Sequence, residues 1–306
     1  MDISLFKTFI TVAKHKSITR AGGEIYLTQP AITKQLKALE EQYGIKLFER
    51  SKKNRILTED GKHLLDYAHR IVSLFNESIA SFNERNGQVR GTLKIGANLT
   101  LGVHILPRLI GLFSDNYPDL KIDVLMDNSE NVIKAVKRHD VNFGFIGINN
   151  EDALIEYHLV FHDKICVVVG PGLGINKKVI SWDQLKGIPF IGREKGSDIR
   201  TTYEEWFKSR DTKLTPKIEL NSTEAIKRYI QSGSGFSLLP WCTVEKEVNA
   251  RTLCVVSAPH FNLTQDSYIC HYKHKQFSRA ERVFLEFIFQ TIESEGTFFL
   301  STSVPS

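Results

Sequence analysis

The sequence predicts an α/β chain that opens with a winged helix-turn-helix, continues through a linker helix and ends in a two-part α/β body. Three observations carry this. Residues 1–58 hold three short amphipathic helical stretches followed by two apolar runs around a basic tip. Residues 59–87 follow with a near-heptad apolar stripe. From residue 91 onward, strand-like and helix-like segments alternate, the pattern of parallel sheets. A length of 306 residues favours several domains over one, and with 42% hydrophobic and 25% charged residues the chain can build its core without disulfides or metals.

In the head, Leu5, Phe6, Phe9, Ile10 and Ala13 fall at helical spacing. Ser17 is placed to cap a second helix and Thr28 a third, with Pro30 in its first turn, where a missing N–H costs little. Gly44 ends that third helix in a left-handed conformation. Ile32, Leu36 and Leu39 make its inner face, and Gln29, Thr33, Lys34 and Lys37 its outer one. That outer face carries only hydrogen-bonding and positive groups until Glu40. Gly22 and Gly23 sit inside the second helix, each at a cost of roughly 1 kcal/mol against Ala, which suggests a close approach to a neighbour. The run "IKLFERSKKNRILT" reads as a hairpin wing with Lys52, Lys53, Asn54 and Arg55 at its tip.

The linker stripe comprises Leu64, Ala68, Ile71, Phe75, Ile79 and Phe82, a spacing suited to a helix–helix seam. In the body, strands are expected at "TLKIGA", "LKIDVLM", "FGFIG", "KICVVVG", "IPFIG", "KIEL" and "FSLLP". Helices are expected over 102–116, 130–139, 198–209, 222–232 and 278–293, with 296–306 as a disordered tail.

Charge is unevenly distributed. Residues 1–58 carry 11 Lys+Arg against 5 Asp+Glu, and residues 59–306 carry 29 against 30. A small basic module on a near-neutral body suggests a polyanion-binding head. The four cysteines, at 166, 242, 254 and 270, form no CxxC pair and lack metal-type spacing with histidine, so reduced, mostly buried thiols are expected, with no metal site and no cofactor. The N-terminus lacks the apolar core of a signal peptide, and no apolar run approaches the length of a membrane span, so a cytoplasmic location without membrane partners is expected. No GxSxG, HExxH, P-loop or dinucleotide fingerprint is present, and "GPGLG" at 170–174 follows a strand without opening a clear helix; enzyme chemistry is not indicated.

The run "SITRAGGEIYLTQPAITKQLKALEEQYGIKLFERSKKNRILTEDGKHLL" closely resembles the N-terminal signature of LysR-type transcriptional regulators. The resemblance continues through nearly the whole chain. It implies a winged helix-turn-helix over 1–58, a dimerising linker helix over 59–87 and an effector-binding body of the periplasmic-binding-protein type over 91–295. That body would comprise subdomain I, about 91–163 plus 270–295, and subdomain II, about 164–269. It also implies a dimer of dimers and an operator of double-stranded DNA. "YPDLKIDVLMDNSENV" and "NSTEAIKRYIQSGSGFSLLP" look closest to members controlling carbon-fixation or sulfur-assimilation genes. The chain departs from the family where Gly22-Gly23 replaces Ala-Ala, where Asn98 replaces Ser and where Asn142 replaces Asp. The first departure bears on the stability of the head, the other two on effector chemistry.

In such a head, Gln29 can bond adenine, Lys34 guanine, and Thr33 a phosphate or thymine, with Pro30 shaping the helix entry. Lys37, Arg50, Lys52, Lys53 and Arg55 would meet the DNA backbone or minor groove. In the body, a small anionic metabolite is expected at helix starts beyond the strand ends, at Asn98 and Thr100, Ser129, Ser197 and Thr223, with Phe145 and Phe236 as candidate lining. The resemblance supports Thr100 and Ser129 most. Each polar residue alone is most simply a helix cap, and each aromatic a core residue. The rival readings are a solute-binding or carrier protein of the same body fold and an enzyme on that scaffold.

Overall fold

A computed structural model describes residues 2–49, 55–83, 89–173, 179–273 and 275–295. The chain divides into two units, Met1–Val89 with Arg138–Asp140, and Arg90–Lys137 with Val141–Ser306.

The first unit begins with α1 (Ile3–His15), α2 (Ile18–Ile25) and α3 (Gln29–Tyr43). Asp2 caps α1 by accepting from Ser4 N at 2.9 Å, and Ser17 caps α2 by accepting from Arg20 N at 3.4 Å. Thr28 stands at the cap position of α3 but makes no side-chain capping bond. Pro30 removes one of the two amides that a cap side chain can reach, and Thr28 does not engage the other, on Ala31. Gly44 closes α3 at φ 68°. Phe6, Phe9, Val12, Ala21, Ile32, Leu36, Leu39, Leu47 and Phe48 form the core of the head. Glu40, which ends the positive outer face in sequence, turns inward instead and accepts from Leu47 N at 3.0 Å. The wing's base is present, with Phe48 bridged antiparallel to Leu57 and Glu49 N donating to Ile56 O at 2.8 Å.

The linker helix α4 (Glu59–Asn83) splits its stripe. Leu64 and Ala68 are buried in the head's core, with Ile71 and Val72 packed against it. Further along, Leu74, Phe75 and Ile79 are 67%, 42% and 47% exposed. The stripe expected to form one seam along the whole helix is therefore divided: its first part, through Ile71, serves the head's own core, and the exposed apolar residues begin after it. The side chain of Phe82, and the tail 296–306, lie outside the described residues.

The second unit opens with β1 (Gly91–Ala97), α5 (Leu99–His104), α6 (Leu106–Asn116), β2 (Leu120–Met126), α7 (Ser129–Lys137) and β3 (Phe143–Ile146). β1 lies between β2 and β3, parallel to both. The single helix expected over 102–116 is two. It starts at Leu99, because Asn98 caps it, and breaks at Ile105, because Pro107 has no N–H to donate back to residue 103.

The long strand β4 (Ile155–Val169) follows, then α8 (Trp182–Leu185), β5 (Ile191–Arg193), α9 (Asp198–Lys208), β6 (Ile218–Leu220), α10 (Thr223–Gln231) and β7 (Phe236–Pro240). α11 (Trp241–Asn249), β8 (Cys254–Val256), β9 (Thr264–Tyr272) and α12 (Arg279–Glu295) complete the chain. The expectation of two parallel α/β units is corrected here. The main sheet is mixed, in the order β2-β1-β3-β9-β4-β7 with β8 also on β4, and β5 and β6 form a separate parallel pair. β9 runs antiparallel to both β3 and β4. The body thus has two lobes. One is built on β1–β3, the other on β5–β8, and the chain crosses between them along β4 and returns along β9.

The lobes have separate apolar cores. In the first, Phe113, Phe143 and Phe145 gather on Phe284 of α12, with ring centroids 5.0, 5.5 and 6.4 Å away. In the second, Phe190, Tyr203, Phe207, Phe236 and Leu238 pack with Trp182 and Trp206.

The two head glycines are not equivalent. A Cβ on Gly22 would lie 2.6 Å from Leu27 O and 3.4 Å from Ile32 Cδ1, whereas a Cβ on Gly23 would meet nothing within 4 Å. Gly22→Ala is expected to lower the head's melting temperature, because backbone must shift. Gly23→Ala should raise stability by roughly 1 kcal/mol through helix propensity. Parallel thermal melts of the two variants check this; similar shifts of the same sign would contradict the packing role of Gly22.

Candidate functional site

Two regions gather the residues singled out by sequence. On α3, Gln29, Pro30, Thr33, Lys34 and Lys37 are all exposed and line one shallow surface depression. Gln29 Nε2 donates to Thr19 Oγ1 at 2.9 Å, which ties the start of α3 to α2 and holds the amide at the surface. Thr33 Oγ1 donates to the Gln29 carbonyl at 2.9 Å, and Lys37 pairs with Glu41 at 3.4 Å. Arg55 is half-buried, its guanidinium 6.0 Å from the Phe48 ring centre. Arg50, Lys52 and Lys53 lie outside the described residues.

The second region sits where the two lobes of the body meet. Asn98 follows β1, Ser129 starts α7, and Gly147 follows β3: three neighbouring positions at the carboxyl ends of parallel strands. All three donate to one oxygen. Asp198 Oδ2 accepts from Asn98 Nδ2 at 2.7 Å, from Ser129 Oγ at 2.5 Å and from Gly147 N at 3.0 Å. Asp198 is the first residue of α9 in the other lobe, and Ser197 caps that helix by accepting from Arg200 N at 3.4 Å. Despite these bonds, burial raises the Asp198 carboxyl above its ordinary range. Around this point Asn98, Thr100, Ser129, Arg193, Ser197 and Asp198 line a chamber of only about 40 Å³.

A smaller space of about 20 Å³ adjoins it, lined in part by Asn98, Thr100, Asp163, Asp198 and Gln265. Asp163 Oδ2 accepts from Cys242 N at 3.1 Å, while its Oδ1 has no partner among the described residues. Burial pushes this carboxyl up to about 6. Gln265 Nε2 donates to the Gly147 carbonyl at 2.5 Å and its Oε1 accepts from Thr202 at 2.8 Å, which fixes the loop that presents the Gly147 N–H.

Several sequence readings are corrected. Phe145 is fully buried, with its ring on Phe284; β3 is covered on both faces, so its side chains serve the core. Phe236 likewise packs on Phe190, 5.2 Å between ring centres. Thr223 does not line the chamber; its hydroxyl accepts from Arg193 Nη1 at 2.9 Å and so supports a residue that does. Asn142 bears on architecture instead of effector chemistry: its Oδ1 accepts from Lys94 N at 2.7 Å and its amide donates to Glu281 of α12. Sequence reasoning missed Asp198, Gly147, Asp163, Arg193 and Gln265. The one available signal was "GSDIR", where an Asp follows the helix cap Ser197; an Asp there is ordinarily read as a helix-dipole partner.

Two other features compete for attention. The second lobe holds a cavity of about 640 Å³, lined by Trp182, Trp206, Phe207 and Leu214 among others, with Lys186, Arg210, Lys213 and Lys217 around it. Its size suits a metabolite. Glu156, His158 and His271 also bring ligand-type atoms within 4.8 Å of one another. The two His Nε2 atoms are 3.2 Å apart and the ring centres 5.3 Å apart, so the nitrogens point at each other, as hydrogen-bond donor and acceptor do.

Both units match family models. Residues 3–62 match the bacterial regulatory helix-turn-helix model of the lysR family, and residues 86–292 match the LysR substrate binding domain. The chain belongs to the LysR family. It is a DNA-binding transcriptional regulator with an effector-binding body, and its relatives are regulators, not enzymes. The transcriptional activator CmpR of Synechocystis is 30% identical over 286 residues, covering 93% of each chain. The RuBisCO operon transcriptional regulator of Allochromatium vinosum is 28% identical over 94% of this chain and 96% of its own. The second name agrees with the carbon-fixation resemblance. Among solved structures, a full-length OxyR variant from Pseudomonas aeruginosa aligns with a TM-score of 0.76 at 19% identity, over 97% of this chain and 96% of that one, a likeness of fold. No helix among the described residues is long and apolar enough to cross a membrane.

The regulator's buried acids give a pH signature. Asp163 holds its proton more tightly folded than unfolded, so its burial costs stability increasingly as pH rises from 3.8 to about 6. Asp163→Asn keeps an acceptor for Cys242 N and removes the charge. The variant's melting advantage over wild type should be small at pH 4 and reach its full size by pH 7. A pH-independent difference would show that Asp163 does not titrate in this window.

Proposed function

We propose that this LysR-type regulator reads its operator through α3 and answers a small oxyanion-bearing metabolite in the chamber around Asn98 and Ser129. Gln29, Thr33 and Lys34 meet base edges. Lys37, Arg55 and the wing residues Arg50, Lys52 and Lys53 meet phosphate, with Pro30 setting the approach. The exposure of all five α3 residues on one continuous face supports this. Two copies pair through the exposed part of α4, and dimers assemble into a tetramer in the cytoplasm.

The observation that carries the effector reading is the convergence of Asn98 Nδ2, Ser129 Oγ and Gly147 N on a single buried carboxylate oxygen. Donors so arranged suit an oxyanion, and the lobe meeting point is where ligands of such folds bind. Thr100, Ser197 and, through Arg193, Thr223 complete the surround. The larger cavity of about 640 Å³ in the second lobe is the second reading, favoured by its volume and by the basic residues around it. Two of the chain's three tryptophans line it, so a metabolite binding there would change tryptophan emission. Titration of candidate carboxylates and sulfur or phosphate oxyanions, with operator affinity and emission read together, tests the assignment. An operator response abolished by Ser129→Ala, without an emission change, is expected; a response accompanied by quenching and indifferent to Ser129→Ala would move the site.

Gln29→Ala should relax base preference at one position of each half-site, at about 1–3 kcal/mol, whereas Lys37→Ala should weaken all sequences alike and reduce the salt slope by about one unit. Competition gel shifts against single-base operator variants separate the two; a uniform loss for Gln29→Ala would remove it from the bases.

Charging the exposed stripe should dissociate the assembly. Phe75→Asp with Ile79→Asp leaves the buried Leu64 and Ala68 untouched, so the head should keep its fold while light scattering reports monomer and operator affinity collapses. Retention of the oligomer would place the seam elsewhere.

A further inference from the structure

We propose that Asp198 is a tethered stand-in for the effector's oxyanion, so that effector binding is an exchange in which the incoming anion displaces this carboxylate. The proposal rests on the chamber being the effector site. It adds what fills that site without effector, what class of group can enter, and what must move.

Three observations carry it. The donors that converge on Asp198 Oδ2 are a side-chain amide, a hydroxyl and a backbone N–H, at 2.7, 2.5 and 3.0 Å, a set that matches any oxyanion oxygen. All come from the first lobe, while Asp198 comes from the second, so the contact is made across the cleft as a ligand's would be. The position is also shaped for close approach. A Cβ on Gly147 would lie 2.7 Å from Asp198 Oδ2 and 3.0 Å from Asp198 Cβ, so a side chain at residue 147 would expel the carboxylate.

Space decides that the effector must displace Asp198 and cannot join it. Chambers of about 40 and 20 Å³ hold a water or a few, whereas ligand sites of ordinary metabolites span roughly 300–1,000 Å³. Asp198 opens α9, so its withdrawal draws the start of that helix away from Asn98, Ser129 and Gly147. The two lobes are continuous only along β4 and β9, which lets such a separation occur by bending those strands. The entering group is a small oxyanion, a carboxylate or a sulfur or phosphorus oxyacid, because the three groups released are donors. A tethered competitor acts at an effective concentration on the order of millimolar, so it sets a threshold that a weaker or scarcer anion does not cross.

The test uses the full-length protein and three probes, sodium acetate, sulfate and phosphate, titrated calorimetrically against sodium chloride at matched ionic strength. Wild type should bind the preferred probe weakly. Asp198→Gly removes the stand-in and should tighten that probe's Kd at least ten-fold, and Ser129→Ala added to it should reverse most of the gain. Asp198→Asn, which keeps the shape and an acceptor oxygen without the charge, should fall between wild type and Asp198→Gly, and it serves if the glycine variant does not fold. Unchanged oxyanion affinity in both Asp198 variants overturns the proposal, as does a gain that Ser129→Ala leaves intact. A gain that depends on Ser129 while operator affinity ignores the probe upholds the exchange and sinks instead the reading of the chamber as the effector site.

Discussion

A carboxylate removed from water must be matched by donors or be lost as a charge, and the body of this protein is organised around one such match. Asp198 brings its carboxylate from the start of α9 to the ends of β1 and β3 and the start of α7. Those three positions are neighbours because β1 lies parallel between β2 and β3, Ala97 beside both Met126 and Phe145, with Asn98 N bonded to the Phe145 carbonyl at 2.8 Å. The chain-crossing strands β4 and β9 bring the second lobe to that edge, and Gln265 of β9 pins the Gly147 loop. The end of β1, the start of α7 and the turn after β3 thus each aim an N–H or O–H at one point in space. The second lobe supplies the group that fills it.

The same economy governs the head. Its outer α3 face is free because its inner face is fully occupied by Ile32, Leu36 and Leu39, and because Glu40 is turned away to hold the chain entering the wing. α4 divides its work. The first turns close the head's core, so the head depends on the linker for its own stability, and the next turns leave Leu74, Phe75 and Ile79 in solvent. An apolar surface of that spacing on a long helix is what the proposed pairing of two copies would cover.

The head was legible in the sequence because its signals are local. Caps at Ser17, a terminating Gly44 and a 3.6-residue periodicity need no tertiary information, and even the cost of Gly22 pointed to a close approach that the Leu27 carbonyl supplies. The body was legible where strands are almost wholly apolar, as in β3 and β7. It was not where apolar and polar residues are mixed. The first half of β4 and all of β9 carry His158, His162, Gln265 and Asp266 among apolar residues, and these two strands turn a supposed pair of parallel sheets into one mixed sheet. Helix-start polar residues identified the chamber's neighbourhood, since Asn98, Thr100, Ser129 and Ser197 all line it. Asp198 was invisible because an acid at a helix start is explained locally by the dipole, and only the fold reveals that its partners are 51 to 100 residues away. Phe145 and Asn142 failed for another reason: a strand position suggested a site for the first and a departure from the family's Asp did so for the second, but both side chains turn to α12.

The central claim is that the carboxylate of Asp198 holds the chamber as a ligand would. Residue-resolved hydrogen–deuterium exchange at the Gly147 amide tests it most directly, because that N–H is committed to Asp198 Oδ2 at 3.0 Å and otherwise has only a long contact of 3.4 Å to Ser129 Oγ. In wild-type protein without effector the amide should exchange slowly. In Asp198→Gly it should exchange at least ten-fold faster, and saturating oxyanion should restore its protection. Equal exchange in the two proteins, while α7 and β3 remain protected in both, would contradict the account.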